Sequence, residues 1–165
     1  GDMAYRYWQT CLSLKRYPKE FKYWKEDIRP VNQLVEIMTT LLINAEYDNH
    51  TFHLNNGKKI CINKPLELYK KSMMLRKIGI REWIQLLEKM DSNGNMFPFY
   101  PYLEVVKSVL RGAENRKINY NKEFNISNQM TVGLLPQKNR VYEFTETQLI
   151  GYIKQCQQEK LNESK

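Results

Sequence analysis

Between Thr51 and Ile62 the apolar residues fall at Phe52, Leu54, Ile60 and Ile62, with polar side chains between them and Asn55-Asn56-Gly57 at the centre. This is the pattern of a β-hairpin, and parity fixes its register. A two-residue Asn56-Gly57 turn pairs even positions with odd ones and would divide the four apolar residues between the two faces. A three-residue loop, Asn55-Asn56-Gly57, pairs even with even. Phe52, Leu54, Ile60 and Ile62 then share one face, and Thr51, His53, Lys59 and Cys61 share the other. Because a slip of one residue turns every side chain over, the clean apolar face selects the three-residue loop, with Gly57 in the left-handed position of a bulge.

Elsewhere the hydrophobic period lengthens to that of a helix. Tyr17, Phe21, Trp24 and Ile28 lie at i, i+4, i+7 and i+11 behind Pro18, which predicts a helix with an aromatic core face and Lys19, Lys22 and Lys25 off that face. From Val31 to Ala45 apolar residues cover more than half the helical circumference, the signature of a central helix buried on most sides. Asn63 and Pro65 open a further helix that runs to Gly79, its apolar residues scattered among lysines. Ile80, Trp83, Ile84, Leu87 and Met90 make a regular amphipathic stripe ending at Asp91-Ser92-Asn93-Gly94. Pro101 starts another helix, with Tyr102, Val105, Val106 and Val109 inward and Gly112 at its end. Thr145 with Gln148 forms a capping box ahead of Leu149, Ile150, Ile153 and Cys156.

Strand character appears at Ala4–Leu14, rich in aromatic and β-branched residues, and in a pair formed by Gln129–Leu135 and Arg140–Phe144 around the turn Pro136-Gln137-Lys138-Asn139. Residues 113–128 read as a long polar connection. The expected architecture is an α+β single domain over 1–158. It has five to six helices and a small antiparallel sheet that includes the hairpin at 51–62 and a second β pair near 129–144. A frayed tail over 159–165 completes it.

Composition narrows the class. The 165 residues are 42% hydrophobic and 27% charged, ordinary for a globular chain long enough to bury a core. No apolar run approaches the roughly 20 residues a bilayer span requires, and the aromatic, charged N-terminus does not resemble a secretory signal. Three widely spaced cysteines do not make a disulfide framework, which suits a reducing, intracellular setting, nuclear or cytoplasmic.

Charge changes the picture most. The chain carries a net +8, and the segment 58–81 holds Lys58, Lys59, Lys64, Lys70, Lys71, Arg76, Lys77 and Arg81 against Glu67 alone. Solubility surfaces normally mix signs, so a segment of one sign points to a polyanion. If it binds nucleic acid, RNA or DNA, then Lys58, Lys59, Lys70, Lys71, Arg76, Lys77 and Arg81 are the phosphate contacts, with the Lys15–Lys25 segment as a further basic contributor.

Catalytic and metal chemistry find little support. His50, His53 and Cys61 invite a zinc reading, but a structural site needs four ligands and neither Cys11 nor Cys156 is placed to complete it. Asp91-Ser92-Asn93-Gly94-Asn95 has oxygen ligands in calcium-loop positions, yet its glycine stands at position 4 and Tyr102 occupies position 12. No Gly-rich phosphate loop and no nucleophile motif are present. The expectation is therefore a non-enzymatic nucleic-acid-binding domain with no metal or small-molecule cofactor. The alternative is a protein-interaction domain of a larger assembly, using the C-terminal helix or the aromatic loop with Phe97, Phe99, Tyr100 and Tyr102. That loop has a blander reading as a plug for a core edge.

Overall fold

The computed structural model describes residues 3–44, 47, 50–56, 58–91, 97–113, 129–135 and 141–163. The fold is α+β. The chain forms two compact units, one of Gly1–Trp24, Cys61–Asn121 and Thr145–Lys165, the other of Lys25–Ile60 and Lys122–Phe144.

The first unit begins with α1 (Met3–Leu14), which buries Ala4, Tyr7, Trp8, Thr10, Cys11, Leu12 and Leu14. That spacing is helical, and the expected strand is corrected: local β-propensity in Tyr-Arg-Tyr-Trp yields to a face on which Tyr7, Trp8 and Cys11 pack. Lys15 follows in the left-handed region at φ 51°, and β1 (Arg16–Pro18) leads into a 3-10 turn over Lys19–Tyr23. The predicted Tyr17–Ile28 helix is thus replaced by strand and tight turn. Its aromatic residues do face inward: Tyr17 and Phe21 are fully buried, and Phe21 meets Trp24 edge-on at 4.6 Å between ring centroids.

The chain re-enters this unit where the Ile62 N–H donates to the Trp24 carbonyl at 2.9 Å. Next come α3 (Lys64–Met73) and β4 (Arg76–Ile78), joined through Met74 at φ 52°. The single helix expected up to Gly79 is therefore two elements of different period, which is why its apolar residues scatter around one wheel. β4 runs parallel to β1, with Arg16 opposite Arg76, Tyr17 opposite Lys77 and Pro18 opposite Ile78. Next is α4 (Ile80–Asp91), whose Ile80 N–H is capped by Glu20 at 3.0 Å. It buries Ile80, Trp83, Ile84 and Leu87 as its stripe predicts. A 3-10 turn at Tyr100–Tyr102 leads into α5 (Leu103–Ala113).

The last helix, α7 (Glu146–Glu163), packs on α1 and α3. Its capping box forms as expected, the Thr145 N–H donating to Gln148 Oε1 at 2.9 Å and the Gln148 N–H to Thr145 Oγ1 at 3.2 Å. The tail expected to fray from 159 is helical to Glu163, with Glu159 accepting from Gln155 and from the Tyr5 hydroxyl. The core is a ring cluster of Tyr7, Phe21, Trp83 and Phe99, with neighbouring centroids 5.2–6.0 Å apart.

In the second unit α2 (Val31–Leu42) buries only Gln33, Ile37 and Leu41, not most of its circumference. Ile37, Leu41 and Leu135 form the core, with Tyr47, Phe52 and Leu54 packed on it. Phe52 and Leu54 both pack on this core, but the hairpin does not form. Residues 51–56 form neither strand nor helix, and β3 (Ile60–Cys61) instead pairs antiparallel with β2 (Lys25–Glu26). Gly57 lies outside the described residues, and with it the proposed bulge.

The second β pair is corrected too. Gln129–Leu134 is a helix, α6, while residues 141–144 form no strand, and Tyr142 is tied to Asn56. The Asn56 amide accepts from the Tyr142 N–H at 2.7 Å and donates to the Tyr142 carbonyl at 2.9 Å, replacing a backbone strand partner with a side chain. The Asn56 N–H in turn donates to Asp27 at 2.7 Å. The turn at 136–139, and residues 114–128 of the polar connection with Arg116, Lys117 and Lys122, lie outside the described residues.

Candidate functional site

The seven expected contacts divide between the two units. Lys58 and Lys59 belong to the second unit, where Lys58 pairs with Glu143. The others belong to the first. There Lys77 is held by Glu67 at 2.7 Å, and Lys64 by Glu146 at 3.5 Å. Glu67 within the run, and Glu143 and Glu146 remote from it, thus neutralise part of its charge. The hydrogen bond to Glu67 also holds the Lys77 ammonium above its ordinary range.

What remains gathers where α1 and α3 end. The Leu75 N–H donates to the Lys70 carbonyl at 2.9 Å and the Arg76 N–H to the Lys15 carbonyl at 3.0 Å, so both helix termini run directly into the paired strands. Neighbouring strands lie about 4.8 Å apart and side chains at matched register share a face, which brings the Arg16 and Arg76 side chains out together. Tyr17 and Lys77 lie on the opposite face, with the Lys77 ammonium 5.9 Å from the Tyr17 ring centroid. Lys15, Lys70, Lys71 and Arg76 are exposed and Arg16 half-buried. None of the five pairs with a carboxylate among the described residues. Arg16 spends one N–H on the Leu14 carbonyl at 3.1 Å, which anchors its guanidinium at the end of α1.

Like charges directly opposite in a sheet destabilise it, so the Arg16–Arg76 pair requires compensation. Two helix C-termini supply some. Each carries roughly half a negative charge, about one in all, against five cations. The edge therefore stays strongly positive.

Of the expected contacts, Lys70, Lys71 and Arg76 fall at this edge, together with Lys15 and Arg16 of the Lys15–Lys25 segment. Arg81 is exposed in the first turn of α4. Lys15 and Arg16 were visible as part of a basic–aromatic stretch. Their meeting with Arg76 depends on a parallel pairing some sixty residues apart, for which the sequence has no local signal.

Phe99 of the aromatic loop belongs to the core. Phe99 is fully buried against Tyr7, Trp83 and Tyr102, and its N–H donates to Thr10 Oγ1 at 3.1 Å. Phe97, Tyr100 and Tyr102 are half-buried. The burial of Phe99 accords with the plug reading. Among the described residues no group of three or more His, Cys, Asp or Glu could hold a metal ion; the Cys61 thiol sits on the Lys22 carbonyl at 3.2 Å, and the His53 N–H donates to Thr131 Oγ1 at 3.2 Å. Among the described residues no helix is long and apolar enough to cross a membrane. Comparison with known proteins finds no matching family model, no matching curated protein and no matching solved structure.

Proposed function

We propose that the first unit binds the phosphate backbone of nucleic acid through Lys15, Arg16, Lys70, Lys71 and Arg76. The observation that carries this reading is the in-register Arg16–Arg76 pair, flanked by three lysines and lacking any carboxylate partner among the described residues. An extended polyanion relieves the mutual repulsion of these groups and releases counterions on binding. The only large apolar side chain exposed within this edge is Met74, which can pack on a sugar or a base but reads no sequence. Binding is accordingly backbone-directed, tolerant of sequence, and competed by other polyanions.

The test is affinity for single-stranded RNA and duplex DNA measured against salt. Binding should weaken linearly on a log–log plot. The double substitution Arg16→Glu/Arg76→Glu should cut affinity at least tenfold at low salt. Removing two phosphate contacts should also flatten the slope by roughly 1.4–1.8. Lys58→Glu, in the other unit, should change little. Absence of binding at low salt, or a double variant that binds like the parent, overturns the reading.

A further inference from the structure

The exposed face of α2 carries a second pattern. Val31, Val35, Met38 and Leu42 are 74%, 56%, 48% and 79% exposed. Their spacing of 4, 3 and 4 residues is the d-a-d-a seam of a heptad. Ile37 and Leu41 serve the core from the other side of the same helix.

We infer that α2 docks antiparallel on α2 of a second copy of this chain. Across a two-fold axis Val31 meets Leu42 and Val35 meets Met38, so every layer joins one short β-branched side chain to one long one. Such alternation fills a helix seam evenly, whereas a parallel pair would stack Val on Val and Leu on Leu. Antiparallel helices also oppose their macrodipoles favourably.

Charge selects the same occupant. No Lys or Arg occurs between Arg29 and Lys58, in a chain with 26 of them. A molecule of net +8 meets its own copy at least cost through a face that bears none of those charges. Nucleic acid would find no cation here, and a helix lying on a membrane surface wants Lys or Arg along its polar face. Asn32 and Thr39, which flank the seam, are neutral and exposed.

The contact is short. Twelve residues of helix span about 18 Å, below the dimensions of a standard interface, so dissociation constants fall in the micromolar-to-millimolar range. Salt strengthens the pair by screening repulsion between the copies, the opposite sign to nucleic-acid binding.

Sedimentation equilibrium of the full chain over that concentration range tests the inference. A monomer–dimer equilibrium that tightens with salt is expected. Val35→Glu and Met38→Glu, both at exposed positions, should abolish it with the circular dichroism spectrum unchanged. In a Cys61→Ser background, a mixture of Val31→Cys and Leu42→Cys chains should form an intermolecular disulfide that neither chain forms alone. A monomer at all concentrations, a dimer that survives Val35→Glu, or self-cross-linking by Val31→Cys alone overturns it.

Discussion

Asn63 shows how much one buried amide can hold. It accepts from the Tyr7 hydroxyl at 2.5 Å and donates to the Pro18 carbonyl at 2.9 Å, joining α1, β1 and the start of α3. From the sequence it is an N-cap; the position is right, but its side chain is spent on tertiary contacts instead of on the helix end. Asn63→Ala leaves the Tyr7 hydroxyl and the Pro18 carbonyl without these partners in a dry core. The cost should be about 2–4 kcal/mol, read as a lower urea midpoint at unchanged slope. Tyr7 itself gives a pH prediction. Burial, and secondarily the neighbouring Cys11 thiol, push its phenol well above 10.0. The unfolded chain therefore loses this proton first as pH rises, so stability is intact below the unfolded value and falls above it. The contribution is up to about 1.4 kcal/mol per pH unit. Alkaline denaturation should accordingly flatten in Tyr7→Phe, whereas identical slopes would remove Tyr7 as the cause.

At the scale of elements, α1–β1 and α3–β4 are built alike. Each helix turns through a non-glycine residue in the left-handed region, Lys15 or Met74, into a strand of the parallel pair. This explains much of what the sequence concealed. With no glycine at either junction, neither helix end announces itself, and α3 and β4 merge into one irregular wheel. The amphipathic stripe of α4 and the capping box of α7 were legible because both are local patterns. The pairing of β3 with β2, and of residue 56 with residue 142, is settled by packing far along the chain. Met74 is 73% exposed, so its conformation can be tested apart from its contacts. Met74→Val, β-branched and ill-suited to positive φ, should destabilise by about 1–2 kcal/mol, whereas Met74→Gly should be neutral or slightly stabilising. Equal effects in thermal unfolding would argue that the backbone there is not the constraint.

At the scale of the whole molecule, the two units differ in how much core each can bring to its own stability. The first buries Tyr7, Tyr17, Phe21, Trp83, Phe99, Ile62, Leu66, Leu87, Leu103 and Ile153 completely. Among the described residues, the core cluster of the second is three aliphatic side chains, Ile37, Leu41 and Leu135, with Tyr47, Phe52 and Leu54 packed against it. At 1.5–3 kcal/mol each the three aliphatic side chains supply about 4.5–9 kcal/mol before any conformational entropy is subtracted. The polar tie of Asp27, Asn56 and Tyr142 adds direction more than energy. The basic edge therefore sits on the better-packed unit, where its cations keep fixed relative positions. The stripe on α2 sits on the weaker one, where association can add stability by mass action. Native-state hydrogen exchange reads this difference directly. Amides of α2 should exchange through an opening of lower free energy and smaller urea dependence than those of α1 and α4. Their protection should rise with protein concentration as the second copy binds, while that of α1 should not. Equal opening energies in α1 and α2 at every urea concentration would show that the chain opens as one cooperative body, despite the imbalance of its cores.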